Sequence, residues 1–354
     1  MIDYIVVGLG LAGISFCEVL EENNRKFLVF EDASQQSSSV AGGLYNPVIL
    51  KRFTAVWKAK QQLNLIASFY EEIEKKLSVN LDYKVPVYRR FTSIEEQNMW
   101  FEASDKPVLN DFLSTKLIKN TNQYINAEFG YGEVLKTGRI DTAILQTAYR
   151  KYLVGLNKIR NESFNYDHIQ FEKDHLIYEG IKAKNIVFAE GFGLKNNPFF
   201  NYLPLNGTKG ELLTIKAPDL KIDYVLKSSV FIIPLGDDLY RVGATYKWKD
   251  KTNIPTDEAK EELLNKLNSF LKCDYELIDH VAGIRPTVAD RRPLLGTHPQ
   301  YNNIHVLNGF GSRGVMIAPY ASKMLYNFIE NNSLLEKEID IKRFEKRYKS
   351  SISQ

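Results

Sequence analysis

The chain has 354 residues, too many for one compact core and enough for two domains. Its 44% apolar content is that of a soluble globular protein, and 46 basic against 43 acidic residues leave a net charge of +3 that neither demands nor excludes a polyanion. Two cysteines, Cys17 and Cys273, exclude a disulfide framework, and no run nears the roughly 18 apolar residues of a membrane span.

No charged leader or cleavable apolar segment precedes Ile2, so a secretory signal is not expected. The expectation is a cytoplasmic protein in a reducing compartment, with no membrane partner. Val6 to Gly13 read VVGLGLAG. Ile5–Val7 is expected as a short buried strand, Gly8-Leu9-Gly10 as a tight turn, Ile14 to Glu22 as a helix and Lys26–Phe30 as the next parallel strand. Glu31 then falls where a carboxylate accepts hydrogen bonds from both hydroxyls of an adenosine ribose. The helix start offers free N–H groups and a positive dipole end to a pyrophosphate. A glycine turn without a ligand is the alternative. Strand, helix, strand and acid in register favour a bound dinucleotide.

Ser34–Ser39 is polar, and the glycine pair in Ala41-Gly42-Gly43 lets backbone pass close to a bulky ligand. Trp57 to Leu77 has apolar residues at helical spacing, Tyr83–Phe91 alternates as a strand, and Glu95–Phe101 reads as helical. Asp141 is the expected N-cap of a helix to Leu153. Lys184–Ala189 is a buried strand ending in Glu190-Gly191. Between Thr208 and Tyr246 short β-rich pieces imply an antiparallel sheet. Asp257 to Leu271 reads as an amphipathic helix, and Asn303–Leu307 as a last buried strand. A glycine-rich turn, Gly309 to Gly314, leads into a helix from Val315 to about Asn331. The tail from Leu335 to Lys349 is expected to be a solvated helix. Nucleotide-binding signals at both ends with antiparallel material between them imply an interleaved chain.

The N-terminal glycine motif with Glu31, Ala41-Gly42-Gly43, GIRPTVADRRPLLG (Gly283–Gly296) and NGFGSRGVMIAP (Asn308–Pro319) together resemble the flavoproteins of the D-amino-acid oxidase type. That group includes glycine oxidase and sarcosine oxidase, and the resemblance covers about residues 1–330. It implies an α/β fold: a Rossmann-like FAD-binding domain, completed by the C-terminus, beside an antiparallel β-rich substrate domain. The division expected is 1–80 with 135–205 and 280–335 for FAD, 81–134 with 206–279 for substrate, and 336–354 as a helical tail. The resemblance places Gly8, Gly10, Leu11, Ala12 and Gly13 at the pyrophosphate, Glu31 at the ribose, and Ala41, Gly42 and Gly43 near the flavin ring. Gly191 is a further cofactor contact, and Gly309, Gly311, Ser312, Arg313 and Gly314 lie near the pyrimidine edge. Relatives with covalent flavin use a cysteine after the arginine motif. None follows Arg285 here, so FAD is expected to be non-covalent.

Oxidising an amino acid's C–N bond needs its carboxylate held by a fixed cation, which a guanidinium does through two parallel hydrogen bonds. Arg285 is the candidate; its alternative is an ion pair with Asp279 or Asp290. Arg313 is the second candidate, for substrate or flavin, while Arg291 and Arg292 are expected at the surface. The strand Phe231–Pro234 resembles one that often presents a tyrosine hydroxyl in the family, but phenylalanine stands here; Tyr246 is the candidate to compensate. The five histidines show no ligand spacing, so no metal is expected.

The reading is therefore an FAD-dependent oxidoreductase that oxidises a small carboxylate-bearing amine or amino acid by hydride transfer. One alternative is a flavin oxidase acting on the carboxymethylaminomethyl group of a tRNA wobble uridine. A third possibility is a non-catalytic FAD-binding or sensing protein. Stereochemical preference, electron acceptor and oligomeric state stay open.

Overall fold

In the computed structural model, which describes residues 1–352, the first strand Ile2–Val7 lies inside a parallel sheet covered on both faces. That coverage is why its last four residues are all buried and read as an unbroken apolar run. Ile159–Arg160, Phe27–Phe30, Ile2–Val7 and Ile181–Phe188 stand side by side, and Ile304–Asn308 runs parallel to the last of these. Val7 is level with both Phe30 and Phe188, and Phe188 with Val306. The loops after these strands therefore open at one edge, where ligands of such sheets bind. Leu294–Thr297, Leu176–Tyr178 and Ile169–Phe171 add antiparallel strands to the same sheet.

Four helices pack on one face: Leu11–Glu22, Ala59–Leu77, Thr142–Gly155 and Gly314–Asn331. Their inward residues, Phe16, Tyr70, Tyr149 and Leu325 among them, share a core with Tyr4 and Val6. Asp141 caps its helix as expected, its Oδ1 accepting from Ile144 N at 3.0 Å. On the opposite face Ile5, Val7, Phe30 and Phe188 pack with Phe200 and Leu203.

The second sheet has the order Glu276–Arg285, Thr208–Lys216, Leu239–Gly243, Phe231–Gly236, Val225–Lys227, Val87–Arg90, Tyr131–Val134, Leu113–Ile118. It is antiparallel except where Val225–Lys227 runs parallel to Val87–Arg90. Asp257–Asn268 covers one face through Leu263 and Leu267. The other face looks toward the open edge of the parallel sheet.

Some expectations change. The strand expected over Tyr83–Phe91 divides into Asp82–Tyr83 and Val87–Arg90, with Pro86 between them. The helix expected to reach Leu271 ends at Asn268. The tail is not one solvated helix. Ile339 and Ile341 are buried, Leu295 N donates to Ile339 O at 3.0 Å, and the α-helix begins only at Glu345–Ile352, after a single 3-10 turn at Ile341–Phe344. The outer edge of Leu294–Thr297 and the 335–341 stretch cover one another, with Leu335, Ile339 and Ile341 buried. Residues 353 and 354 of that tail lie outside the described residues. No helix among the described residues is long and apolar enough to cross a membrane.

Candidate active site

A cavity of about 700 Å³ lies between the open edge of the parallel sheet and the facing side of the second sheet. Its base is the turn after Ile2–Val7. Gly8 has φ +98°, and a β-carbon there would stand 2.6 Å from Ala189 O. A β-carbon on Gly13 would stand 2.0 Å from Gly8 O, so helix and turn meet at backbone distance. The helix Leu11–Glu22 has no acidic residue in its first turn, and Leu11 N donates to Ser38 Oγ at 3.1 Å. Its positive end thus faces the cavity with no acid in the helix's own first turn. Glu31 is pinned beside this turn: its carboxylate accepts from Leu9 N and, at 2.7 Å, from Ala33 N.

Gly8, Gly10, Leu11, Ala12, Glu31, Ala41, Gly42, Gly43, Gly191, Gly311, Ser312, Arg313 and Gly314 all line the cavity, as do Arg285 and Tyr246. Gly13 and Gly309 stand off its wall. Gly309 packs inward instead, a β-carbon there coming 2.6 Å from Val288. Gly42 and Gly43 are needed by the protein's own packing as well. Their β-carbons would stand 2.7 Å from Ile233 Cδ1 and 1.9 Å from Ile140 O.

Arg285 ends the strand Glu276–Arg285 and turns its side chain across Gly210 of the neighbouring strand. Its Nη1 donates to Thr245 O at 3.2 Å, and the guanidinium lies 5.3 Å from the Tyr246 ring centroid. No carboxylate pairs with it among the described residues. Asp290 accepts from Arg343 instead, and Asp279 Oδ1 from His280 N. Burial pulls the Arg285 pKa below the usual guanidinium value, with Tyr246 opposing. Arg313 precedes the helix Gly314–Asn331 and is likewise lowered, by burial first and then by Arg291. Arg291 is exposed as expected; Arg292 is half-buried, its Nε donating to Glu338 at 2.6 Å. Phe231 lines the cavity and offers it no hydroxyl.

The wall also holds groups that the sequence did not single out. Glu190 accepts from Tyr166 Oη at 2.5 Å and Asn197 Nδ2 at 2.8 Å, and burial raises it to about 7. Lys227 ends a strand that no sequence pattern announced. The wall's acids, Glu31, Asp32, Glu162 and Glu190, all follow strands of the parallel sheet. Its cations are Lys51, Lys227, Arg285 and Arg313. No group of residues able to hold a metal occurs among the described residues.

The family model described as FAD dependent oxidoreductase, DAO, matches residues 3–327. Glycine oxidase of Bacillus subtilis (strain 168) is 22% identical over 348 residues, covering 94% of each chain. The bifunctional protein MnmC of tRNA 5-methylaminomethyl-2-thiouridine biosynthesis from Legionella pneumophila is 24% identical over 203 residues, 49% of this chain and 30% of that one. The fold is shared with glycine oxidase from Geobacillus kaustophilus, at TM-score 0.79 and 19% identity over 97% of both chains. It is shared too with iminodiacetate oxidase from Chelativorans sp. BNC1, at TM-score 0.77 and 15% identity over 95% and 98%. With a glycine-lined cavity at the open sheet edge and a match running almost end to end, the chain belongs to the DAO family of FAD-dependent oxidoreductases.

Proposed function

We propose that the protein oxidises the C–N bond of an amine or amino acid that carries a carboxylate, and that Arg285 grips that carboxylate. The observation that carries this reading is a half-buried guanidinium on a cavity wall without an acid to neutralise it. Burying an unpaired charge is costly unless a ligand completes the pair.

The residues present fit FAD. Gly8 and Gly13 leave no room for a β-carbon, the first helical turn carries no acid, and Glu31 is held at the end of the second strand. Gly8, Gly10, Leu11 and Ala12 would hold the pyrophosphate and Glu31 the ribose. Ala41, Gly42, Gly43 and the Gly311–Gly314 turn would lie at the ring. Bound FAD supplies the acceptor for a hydride from the substrate carbon.

Arg285 fixes the substrate carboxylate, with Thr245 O and the Tyr246 ring holding the guanidinium in place. Phe231, Leu212 and Ile233 keep the neighbouring wall apolar and exclude water. Loss of the hydride and of the N–H proton leaves an imine, which water hydrolyses to an oxo acid or aldehyde and an amine. A neutral amine needs no strong side-chain base for this step. Names of relatives support the substrate class: glycine oxidase and iminodiacetate oxidase both act on amines bearing carboxylates. The test is anaerobic bleaching of the flavin band by carboxylate-bearing amines; a holoenzyme bleached by none of them would sink the reading. A cytoplasmic location goes with it.

One observation favours a larger substrate. Tyr246 and Trp248 stand 46% and 48% exposed, with ring centroids 5.4 Å apart, and Tyr246 reaches the cavity. The two rings meet edge to face, and an exposed ring face of either kind is a surface on which a nucleobase stacks; the relative MnmC is named for tRNA 5-methylaminomethyl-2-thiouridine biosynthesis. tRNA binding that weakens steeply with salt would support this second reading; its absence at low salt would end it.

A further inference from the structure

We propose that the substrate carries a second acidic group, at the end away from the oxidised carbon, and that Lys227 is the residue that grips it. This rests on the carboxylate reading above and names its substrate class more narrowly, as an amine with an anion at both ends.

Lys227 closes the strand Val225–Lys227 and is paired with Phe231 on one side and Arg89 on the other. Phe231 is in turn level with Gly243, and Gly243 with Leu212. Directly paired residues share a sheet face, so Lys227 projects on the side that holds the cavity, and it lines that cavity. Its ammonium sits over the Phe231 ring, 4.5 Å from the centroid. Among the described residues it has no carboxylate and no hydrogen-bond acceptor.

The two cations that act on it have acids of their own: Arg89 pairs with Glu96, and Lys266 with Glu262 at 2.6 Å. What faces Lys227 electrically is the two cations Arg89 and Lys266. With burial acting first, they bring its pKa down to about 8, so it remains mostly protonated at neutral pH. A lysine kept for structure would be expected beside an acid. This one lines a cavity whose wall also carries Arg285, likewise without an acid partner.

The guanidinium lies over Gly210 and the ammonium over the Phe231 ring, on strands two spacings apart, about 10 Å between axes, with both side chains on the same face. That interval is longer than glycine. The wall between them, Leu212, Phe231 and Ile233, is apolar. The occupant that fits has an amine and carboxylate at Arg285, an apolar spacer, and a terminal carboxylate or phosphate at Lys227.

The test titrates the holoenzyme at pH 7 with the chain-matched ligands heptanoate, pimelate and 6-phosphonohexanoate, following the flavin band. Pimelate or the phosphonate should bind at least tenfold more tightly than heptanoate, and whichever gains more identifies the second group. Lys227→Met should bring the two-ended ligand to the affinity of heptanoate, and Lys227→Arg should keep the gain. No advantage for either two-ended ligand, or an advantage that survives in Lys227→Met, overturns the assignment. Heptanoate bound equally well by wild type and Arg285→Ala would instead sink the carboxylate reading itself, and this inference with it.

Discussion

The guanidinium of Arg285 lies across Gly210, where a β-carbon would stand 1.9 Å from Nη2. The two residues are on adjacent strands, Gly210 paired with Gly283 and Arg285 two residues further along. The absence of a side chain at 210 is what allows Arg285 to reach the cavity wall. Gly210→Ala should therefore act like a mutation of Arg285, raising the KM for a carboxylate-bearing amine at least tenfold while FAD remains bound. An unchanged KM would show that the guanidinium does not need that space.

Arg285→Ala should raise KM about 100-fold, the loss of ~2–3 kcal/mol expected for a charge-assisted pair. The same change removes a half-buried charge that lacks an acid partner. The ligand-free variant should then melt no lower than wild type, as differential scanning would show. A large drop in Tm would point to a structural ion pair instead.

Glycines in the first turn should separate by what surrounds them. Gly13→Ala forces a β-carbon into Gly8 O and should cost ~3 kcal/mol or more, with loss of FAD. Gly10 has φ −76°, and its β-carbon would meet only the Ser38 hydroxyl, at 3.0 Å. Gly10→Ala should fold with a loss below ~1 kcal/mol and show a weaker FAD affinity. Urea melts and FAD titration measure both, and equal effects at the two positions would contradict this view.

Binding at Lys227 should depend on pH. The ammonium exists below about 8 and is lost above it, so the advantage of a two-ended ligand should be full at pH 7 and fall as pH rises past about 8. Arg89 and Lys266 are the charged groups that face it. An advantage unchanged at pH 9.5 would contradict the assignment.

Acid should destabilise the fold through buried histidine. Burial lowers His305 to about 3 and His298 to about 4, so the folded state keeps both neutral while the unfolded chain protonates near 6.5. The unfolded state binds more protons in that window, and stability falls as pH drops from about 6.5 toward 4. His305 is held by Thr297 Oγ1 at 2.9 Å and Asn185 Oδ1 at 3.1 Å. His305→Gln should lower the slope of Tm against pH between 6 and 4; an unaltered slope would assign the effect elsewhere.

What the sequence shows readily is local. The turn at Gly8–Gly13, the strand to Glu31 and the Arg285 and Arg313 motifs each sit within a dozen residues, and all lead to one cavity. Gly210, Lys227 and Glu190 carry no such mark. Gly210 matters only because strand register sets it under Arg285, and Lys227 only because its strand joins the sheet beside Phe231. The tail differs from its charge pattern for a related reason: the burial of Ile339 depends on the distant strand Leu294–Thr297. Charge mixing along 335–349 could not reveal that partner.

The most direct measurement is anaerobic mixing of the FAD-loaded protein with an N-substituted glycine such as sarcosine or iminodiacetate, following the flavin band in wild type and Arg285→Ala. Bleaching in the wild type, with about 100-fold more substrate needed by the variant, is the expected result. A wild-type band that no carboxylate-bearing amine bleaches, or identical concentration dependence in the two proteins, would contradict it.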